Sequence, residues 1–171
     1  MEQEKARAVK LLILDADGVL TDGRIIYTDQ GEEVKAFNVK DGHGLKLLMR
    51  AGIRVAIITG RKSPAVEHRA RDLGIARVFQ KALNKLEAYE ELCTTEKLRD
   101  EEICMVGDDL PDLPVLRRCG FAVAVADSVE DVKRAADYVT SKEAGKGAVR
   151  EVCDIILKAQ GLWETVTARY F

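Results

Sequence analysis

Apolar residues along this chain fall into two periods. Short, nearly unbroken apolar runs lie at Val9–Leu14 (interrupted by Lys10), Arg54–Ile58, Arg77–Phe79, Ile103–Val106 and Phe121–Val125. Their continuity predicts strands buried on both faces rather than strands with one wet side. Between them the apolar spacing changes to three and four. Leu45, Leu48 and Met49 form one stripe, and Val66, Ala70 and Leu73 a second. Leu86, Tyr89 and Leu92 form a third, and Val149, Val152, Ile156 and Ala159 the last. Such spacing places each set on one helix face. Ser63 and Pro64 supply an N-cap and a first helical position for the second stripe. Strands alternating with helices predict an α/β fold, a parallel sheet covered on both sides. With 171 residues, the chain is long enough for one domain spanning 1–171 with its own core.

Two stretches break the alternation. Residues 22–42 read as a β-hairpin, with RIIYT and VKAFNV as strands and DQGEE as the turn. A hairpin placed there would overhang whatever follows the first strand. Residues 160–171 show no packing pattern and are expected to be a tail, mobile or docked on a partner.

Composition narrows the class. Net charge is −2, with hydrophobic residues at 47% and charged residues at 33%. No basic excess points to nucleic acid, and no polybasic run points to a membrane surface. The run ending at Leu14 is too short for a signal-peptide core or a membrane span. The four cysteines, at 93, 104, 119 and 153, form neither a CxxC pair nor a zinc-ligand spacing. Free thiols in a cytoplasmic protein are expected.

The chemistry collects at strand ends. Asp15 and Asp17 follow the first strand, and Thr59-Gly60-Arg61 follows the second. Lys85 opens the helix after the third strand. Gly107-Asp108-Asp109, with Asp112 beyond, follows the fourth. In a parallel sheet these ends converge on one edge, where ligands bind. Clustered carboxylates at a buried strand tip repel one another unless a cation shares the site. Asp15, first past the strand, is best placed to attack phosphorus and form an aspartyl phosphate. Asp17 could protonate the leaving alcohol and then activate water. Asp15, the backbone carbonyl of Asp17, and Asp108 could hold Mg²⁺, a hard cation that takes oxygen ligands. Thr59 and the Gly60 amide could bind phosphoryl oxygens, and Lys85 could neutralise developing charge and hold Asp15. Plainer roles compete. Asp109 and Asp112 could be helix N-caps, with support of the inner residues as the alternative for both. Asp22 could be a turn residue.

DADGVLTDG, TGR, Lys85 and GDDLPD, in this order, resemble the four motifs of the haloacid dehalogenase superfamily. The resemblance implies a Mg²⁺-dependent phosphohydrolase on a Rossmann-like, doubly wound parallel sheet. Over nearly the whole chain the sequence is similar to one family within it. That family hydrolyses 3-deoxy-D-manno-octulosonate (KDO) 8-phosphate on the route to lipopolysaccharide. FNVKDGHGLKLL, GDDLPDLPVL, AVADS and GKGAVREVCDIILKAQG carry this likeness. It implies Asp15 as nucleophile, Asp17 as general acid/base, Thr59 as phosphate binder, Lys85 as charge anchor, and Asp108 as metal ligand beside Asp15. It further implies that Arg61 reads the substrate, since a related nonulosonate phosphatase carries Glu there, and that Lys146 and Arg150 reach an active site. A salt bridge on the last helix is the alternative for Arg150. It implies no large cap, and a homotetramer in which hairpins build a small barrel and neighbours close each active site. Ile25, Tyr27 and Phe37 would then be interface residues, unless they pack on their own chain. Two positions depart from the family: Ala144 precedes Gly145 where a second glycine is common, and Lys81 stands where glycine is common.

Other readings make distinguishable demands. A receiver domain would place its last acidic element before the lysine, whereas Asp108 follows Lys85. An EF-hand beginning at Asp15 would need Gly and Glu where Leu20 and Ile26 stand. No GxxxxGK[ST] loop occurs. Within phosphatases the alternative substrates are a nine-carbon nonulosonate 9-phosphate or sugar phosphates at large.

Overall fold

The computed structural model describes residues 2–171. Six strands form one parallel sheet: β1 (Leu11–Leu14), β4 (Arg54–Ile58), β5 (Arg77–Phe79), β6 (Ile103–Gly107), β7 (Phe121–Ala124) and β8 (Tyr138–Val139). Their order is β5-β4-β1-β6-β7-β8. The chain runs outward from β1 through β4 to β5, then restarts at β6 on the other side of β1. That reversal makes the crevice between β1 and β6 the topological switch point. The register sets Leu14 level with Ile57 of β4 and Val106 of β6, so three chains leave the sheet at one height. The α/β, Rossmann-like expectation holds.

Alternate strand residues feed two cores. Leu12, Leu14, Val55, Ile57, Cys104 and Val106 face one side, against α2 (Val39–Arg50), α3 (Pro64–Leu73) and α7 (Ala148–Ala159). Leu11, Ile13, Ala56, Ile58, Ile103 and Met105 face the other, against α4 (Lys85–Glu96), α5 (Leu113–Leu116) and α6 (Glu130–Ala135). β1 is buried throughout, and each such aliphatic side chain contributes roughly 1.5–3 kcal/mol on burial. This fixes the strand that ends in the acidic turn.

Several boundaries differ from the sequence reading. Val9 does not open β1; it follows helix α1 (Glu2–Ala8), and its amide bonds the Ala6 carbonyl at 3.4 Å. β6 extends to Gly107, and β7 stops at Ala124. The hairpin is slighter than expected. β2 (Ile26–Tyr27) pairs antiparallel with β3 (Glu33–Val34), and Val39 already belongs to α2. Residues after 160 are not a loose tail. They form α8 (Trp163–Thr167), with Val166 buried and Leu162 and Trp163 packed on the core. The Val166 carbonyl accepts from Arg50, and the Tyr170 hydroxyl meets His43 at 3.1 Å. No helix among the described residues is long and apolar enough to cross a membrane.

Candidate active site

The first strand delivers Asp15 into the switch-point crevice. Its amide bonds the Val106 carbonyl at 3.3 Å, and its side chain accepts from the Ala16 amide at 2.7 Å. The chain then turns tightly through Ala16–Leu20. Thr21, buried, locks that turn by accepting from the amides of Gly18 (3.3 Å) and Gly23 (3.2 Å). Gly18 has φ +84, and a Cβ there would lie 2.1 Å from Asp108 Oδ2. Only glycine permits both the left-handed turn and this contact.

Asp15, Asp108 and Asp112 bring one carboxylate oxygen each within 4.8 Å of one another. Lys85 lies among them, 3.0 Å from Asp15 Oδ1 and 2.6 Å from Asp112 Oδ1, with its side chain 3% exposed. Burial and Asp112 push Asp15 up to about 6. Burial and Asp15 push Asp108 up to about 8. Burial disfavours the Lys85 ammonium, but Asp15 and Asp112 outweigh it and hold its pKa above the usual lysine value. Ionised together, three carboxylates against one ammonium would carry two excess negative charges; without a cation the raised Asp108 value relieves that excess by protonation, and a divalent cation would relieve it with the carboxylates ionised. Asp108 Oδ1 is buried without a hydrogen-bond partner. An orphaned carboxyl oxygen beside Asp15 suits a hard-cation ligand, so the residues fit Mg²⁺.

Asp112 does not cap α5. Its Oδ2 accepts from the amides of Asp108 (2.9 Å) and Asp109 (3.4 Å), and so supports the acidic loop. Asp109 takes the capping role, accepting from Leu110 N at 2.8 Å. Asp22 is a turn residue, accepting from Arg24 N at 3.2 Å and Arg24 Nε at 2.7 Å. Thr59 is buried at the end of β4, its amide bonded to Phe79 O and its carbonyl to Ala82 N.

These residues share a cavity of about 230 Å³, lined by Asp15, Asp17, Thr59, Gly60, Arg61, Lys85, Asp108, Asp109, Pro111 and Asp112. Two expected residues are not brought there. Lys146 and Arg150 line a different cavity with Lys40 and Lys158. Lys146 pairs with Glu143 at 2.6 Å, and Arg150 pairs with Asp154 at 2.7 Å across one helical turn. The salt bridge within this helix, α7, is thus what one chain provides for Arg150. Of the hairpin residues, Ile25 and Tyr27 are exposed, whereas Phe37 packs on the core beneath Arg69.

Two residues at the site escaped the sequence reading. Lys35 pairs with Asp17 and, at 2.8 Å, with Glu33. Glu33 also pairs with Arg61. The available signal was spacing: residues two apart in a strand share a face, and Glu33 and Lys35 flank the exposed Val34.

The chain matches the haloacid dehalogenase-like hydrolase family over residues 72–152. A 3-deoxy-D-manno-octulosonate 8-phosphate phosphatase of Yersinia pestis is 48% identical over 164 residues, covering 96% of this chain and 88% of its own. One from Escherichia coli strain K12 is 50% identical over 157 residues, 92% of this chain and 84% of its own. The crystal structure of the Moraxella catarrhalis phosphatase, in complex with magnesium, phosphate and KDO, superposes with a TM-score of 0.97 at 44% identity, covering 99% of this chain and 97% of that one. Acidic strand tips, a buried lysine between them and full-length likeness agree: the chain belongs to the haloacid dehalogenase-like hydrolases, in the family of the 3-deoxy-D-manno-octulosonate 8-phosphate phosphatases.

Proposed function

We propose that the chain hydrolyses 3-deoxy-D-manno-octulosonate 8-phosphate to KDO and inorganic phosphate, in lipopolysaccharide biosynthesis. The observation that carries the chemistry is Asp15, held 3.0 Å from Lys85 at the switch point, with Asp17 on the same turn lining the same cavity. A carboxylate oxygen of Asp15 attacks phosphorus in line with the departing sugar oxygen. Asp17 gives that oxygen its proton, and the sugar acid leaves. The neutral sugar hydroxyl is a far better leaving group than the alkoxide. Asp17, now a carboxylate, takes a proton from water. Water attacks the phosphorus of the aspartyl phosphate, breaking its bond to Asp15, and phosphate departs. Thr59 and the Gly60 amide bind phosphoryl oxygens, and Lys85 stabilises charge on Asp15 and the phosphoryl group. Asp15, Asp108 and the Asp17 backbone carbonyl would hold Mg²⁺, which when bound neutralises phosphoryl and carboxylate charge. Arg61 reads the sugar acid.

Four copies are proposed to assemble around their hairpins. Ile25, Ile26, Tyr27 and Val34 are exposed on that element, and Leu83, two residues before Lys85, is 89% exposed. Large apolar side chains exposed together on one hairpin suit a covered face. The open site of one chain would then be closed by neighbours, which is how Lys146 and Arg150 could reach a substrate. A cytoplasmic setting is consistent with four free cysteines, three of them buried.

The test is phosphate release from KDO 8-phosphate, a nine-carbon sugar-acid phosphate, glucose 6-phosphate and p-nitrophenyl phosphate, with and without Mg²⁺. Metal-dependent turnover strongly biased to the eight-carbon acid is expected. Equal rates across the sugars would refute the substrate assignment and leave the chemistry standing.

A further inference from the structure

The hairpin carries a buried cation that phosphoryl transfer does not itself require. Lys35 stands next to an exposed valine, yet its own side chain is 1% exposed. Its ammonium has two carboxylate partners, Asp17 Oδ1 and Glu33 Oε1, the latter at 2.8 Å. Arg61 closes the group, pairing with Glu33 Oε2 and standing 4.0 Å from Asp17 Oδ2. Two cations and two carboxyl groups therefore form a quartet, neutral once Asp17 has given up its proton, with Asp17 as the only member on the catalytic turn.

Burying an ammonium costs far more than burying a methylene chain. A peg that only fastened the hairpin would be better made of leucine or methionine. The hairpin itself is weakly built, with two residue pairs between β2 and β3. What the ammonium supplies beyond an apolar peg is a directional grip on one oxygen of Asp17. A free aspartate side chain samples several rotamers, and a proton donor works only from the one within reach of the leaving oxygen. Glu33 on the same ammonium offsets its charge, so the grip fixes direction without surrounding Asp17 with unbalanced positive charge.

We infer that Lys35 is a positioning residue for the general acid: it holds the Asp17 carboxylate in the orientation that delivers a proton to the leaving sugar oxygen, with Glu33 balancing its charge and tying Arg61 into the same frame. This rests on the phosphatase reading above. It makes Lys35 matter in proportion to how much the leaving group needs a proton. A sugar alkoxide needs one, whereas p-nitrophenolate departs without one.

The experiment compares wild-type, Lys35→Met and Lys35→Arg under single turnover, with enzyme in excess and Mg²⁺ present. Release of KDO from its 8-phosphate and of p-nitrophenol from p-nitrophenyl phosphate both report the first chemical step. For Lys35→Met, the KDO release rate is expected to fall roughly a hundredfold, the low end of what a positioned acid contributes. Its p-nitrophenol release and its KM for the sugar substrate should stay within about threefold of wild-type, since transition-state protonation and ground-state binding are separate readouts. Lys35→Arg, which keeps a charged donor, should recover most of the loss. Adding Lys35→Met to Asp17→Asn should cost little further, because the two residues act as one unit. Equal losses on both substrates, no loss on either, or a rise in KM alone would each overturn the inference. Should Lys35→Met not fold, Lys35→Gln takes its place under the same criteria. A wild-type enzyme inactive on both substrates would instead overturn the phosphatase reading.

Discussion

Gly18→Ala isolates a contact at the centre of the site. The added Cβ would sit 2.1 Å from Asp108 Oδ2 and 2.6 Å from Asp108 Cγ. Comfortable non-bonded contact begins near 3.5 Å, so a shift of about 1 Å or more is unavoidable. Either the Asp108 carboxylate retreats or the turn carrying Asp17 moves. Both disturb the group argued to hold Mg²⁺. Backbone strain adds to this, because Gly18 has φ +84, where an L-residue costs roughly 1–2 kcal/mol. Gly52→Ala separates the two effects. Gly52 has φ +86, and a Cβ added there would meet nothing within 4 Å, so it carries the strain without the contact. Gly52→Ala should lose about 1–2 kcal/mol, or roughly 2–8 °C in Tm for a chain of this size, and Gly18→Ala should lose more, since the overlap adds to the same strain. Gly18→Ala alone should lose about a hundredfold in kcat, the scale of a 1 Å misplacement. Calorimetric titration with Mg²⁺ should also show at least about a tenfold weaker affinity, the scale of a disturbed metal shell. Mg²⁺ affinity and turnover equal to those of Gly52→Ala would refute the reasoning.

Asp15→Asn should lose roughly a thousandfold or more in turnover with thermal unfolding nearly unchanged; a variant retaining most of its turnover would remove Asp15 as nucleophile. Lys81, a non-glycine residue at φ +55, should tolerate glycine with almost no net change in stability. Relief of about 1 kcal/mol of left-handed strain is offset by the roughly 0.5–1 kcal/mol entropic cost of glycine, and a Tm shift beyond about 5 °C either way would contradict that balance. Glu102 is held down to about 2 from 4.5, first by the Arg99 amide and then by Lys10. A carboxylate with a depressed folded pKa adds stability that is present above 4.5 and lost as pH falls through about 2. The urea-midpoint difference between wild-type and Glu102→Gln should therefore be full at neutral pH and vanish near the lower value; a pH-independent difference would contradict it.

The parallel sheet was legible because each of its inner strands is buried on both sides. Continuous aliphatic runs at Leu11–Leu14 and Arg54–Ile58 leave little alternative, and both strands lie where the runs predict. α6 and α8 were missed because they are short, and their burial rests on one or two residues such as Val132 and Val166. The strand Tyr138–Val139 has too few residues for a period to register. α1 hid Val9 for a different reason: an apolar residue beside β1 looks like strand until a helix ending at Ala8 is seen to precede it. Asp15, Asp17, Thr59, Arg61, Lys85 and Asp108 were legible because each stands immediately after a strand or opens a helix at the same sheet edge, so sequence position alone converts to proximity. Lys146 and Arg150 have no such anchor. Lys146 lies in the loop before α7 and Arg150 on α7, and within one chain they pair with Glu143 and Asp154.

Lys35 escaped for a reason that bears on how the site is built. A lysine in a polar hairpin reads as solvated, since nothing local marks it as buried. Its burial follows from the hairpin folding back over Asp17, a contact across 18 positions. Once there, burial disfavours the Lys35 ammonium, but Asp17 and Glu33, two residues earlier on the same face, outweigh it and hold its pKa above the usual lysine value. Neither carboxylate alone accounts for the arrangement: Glu33 could pair with Lys35 in solvent, and Asp17 could remain hydrated in its open cavity. Together with Arg61 they join the hairpin to the residue proposed above as the proton donor. On the proposed mechanism, this would give the short hairpin a part in the chemistry through Lys35 and Glu33.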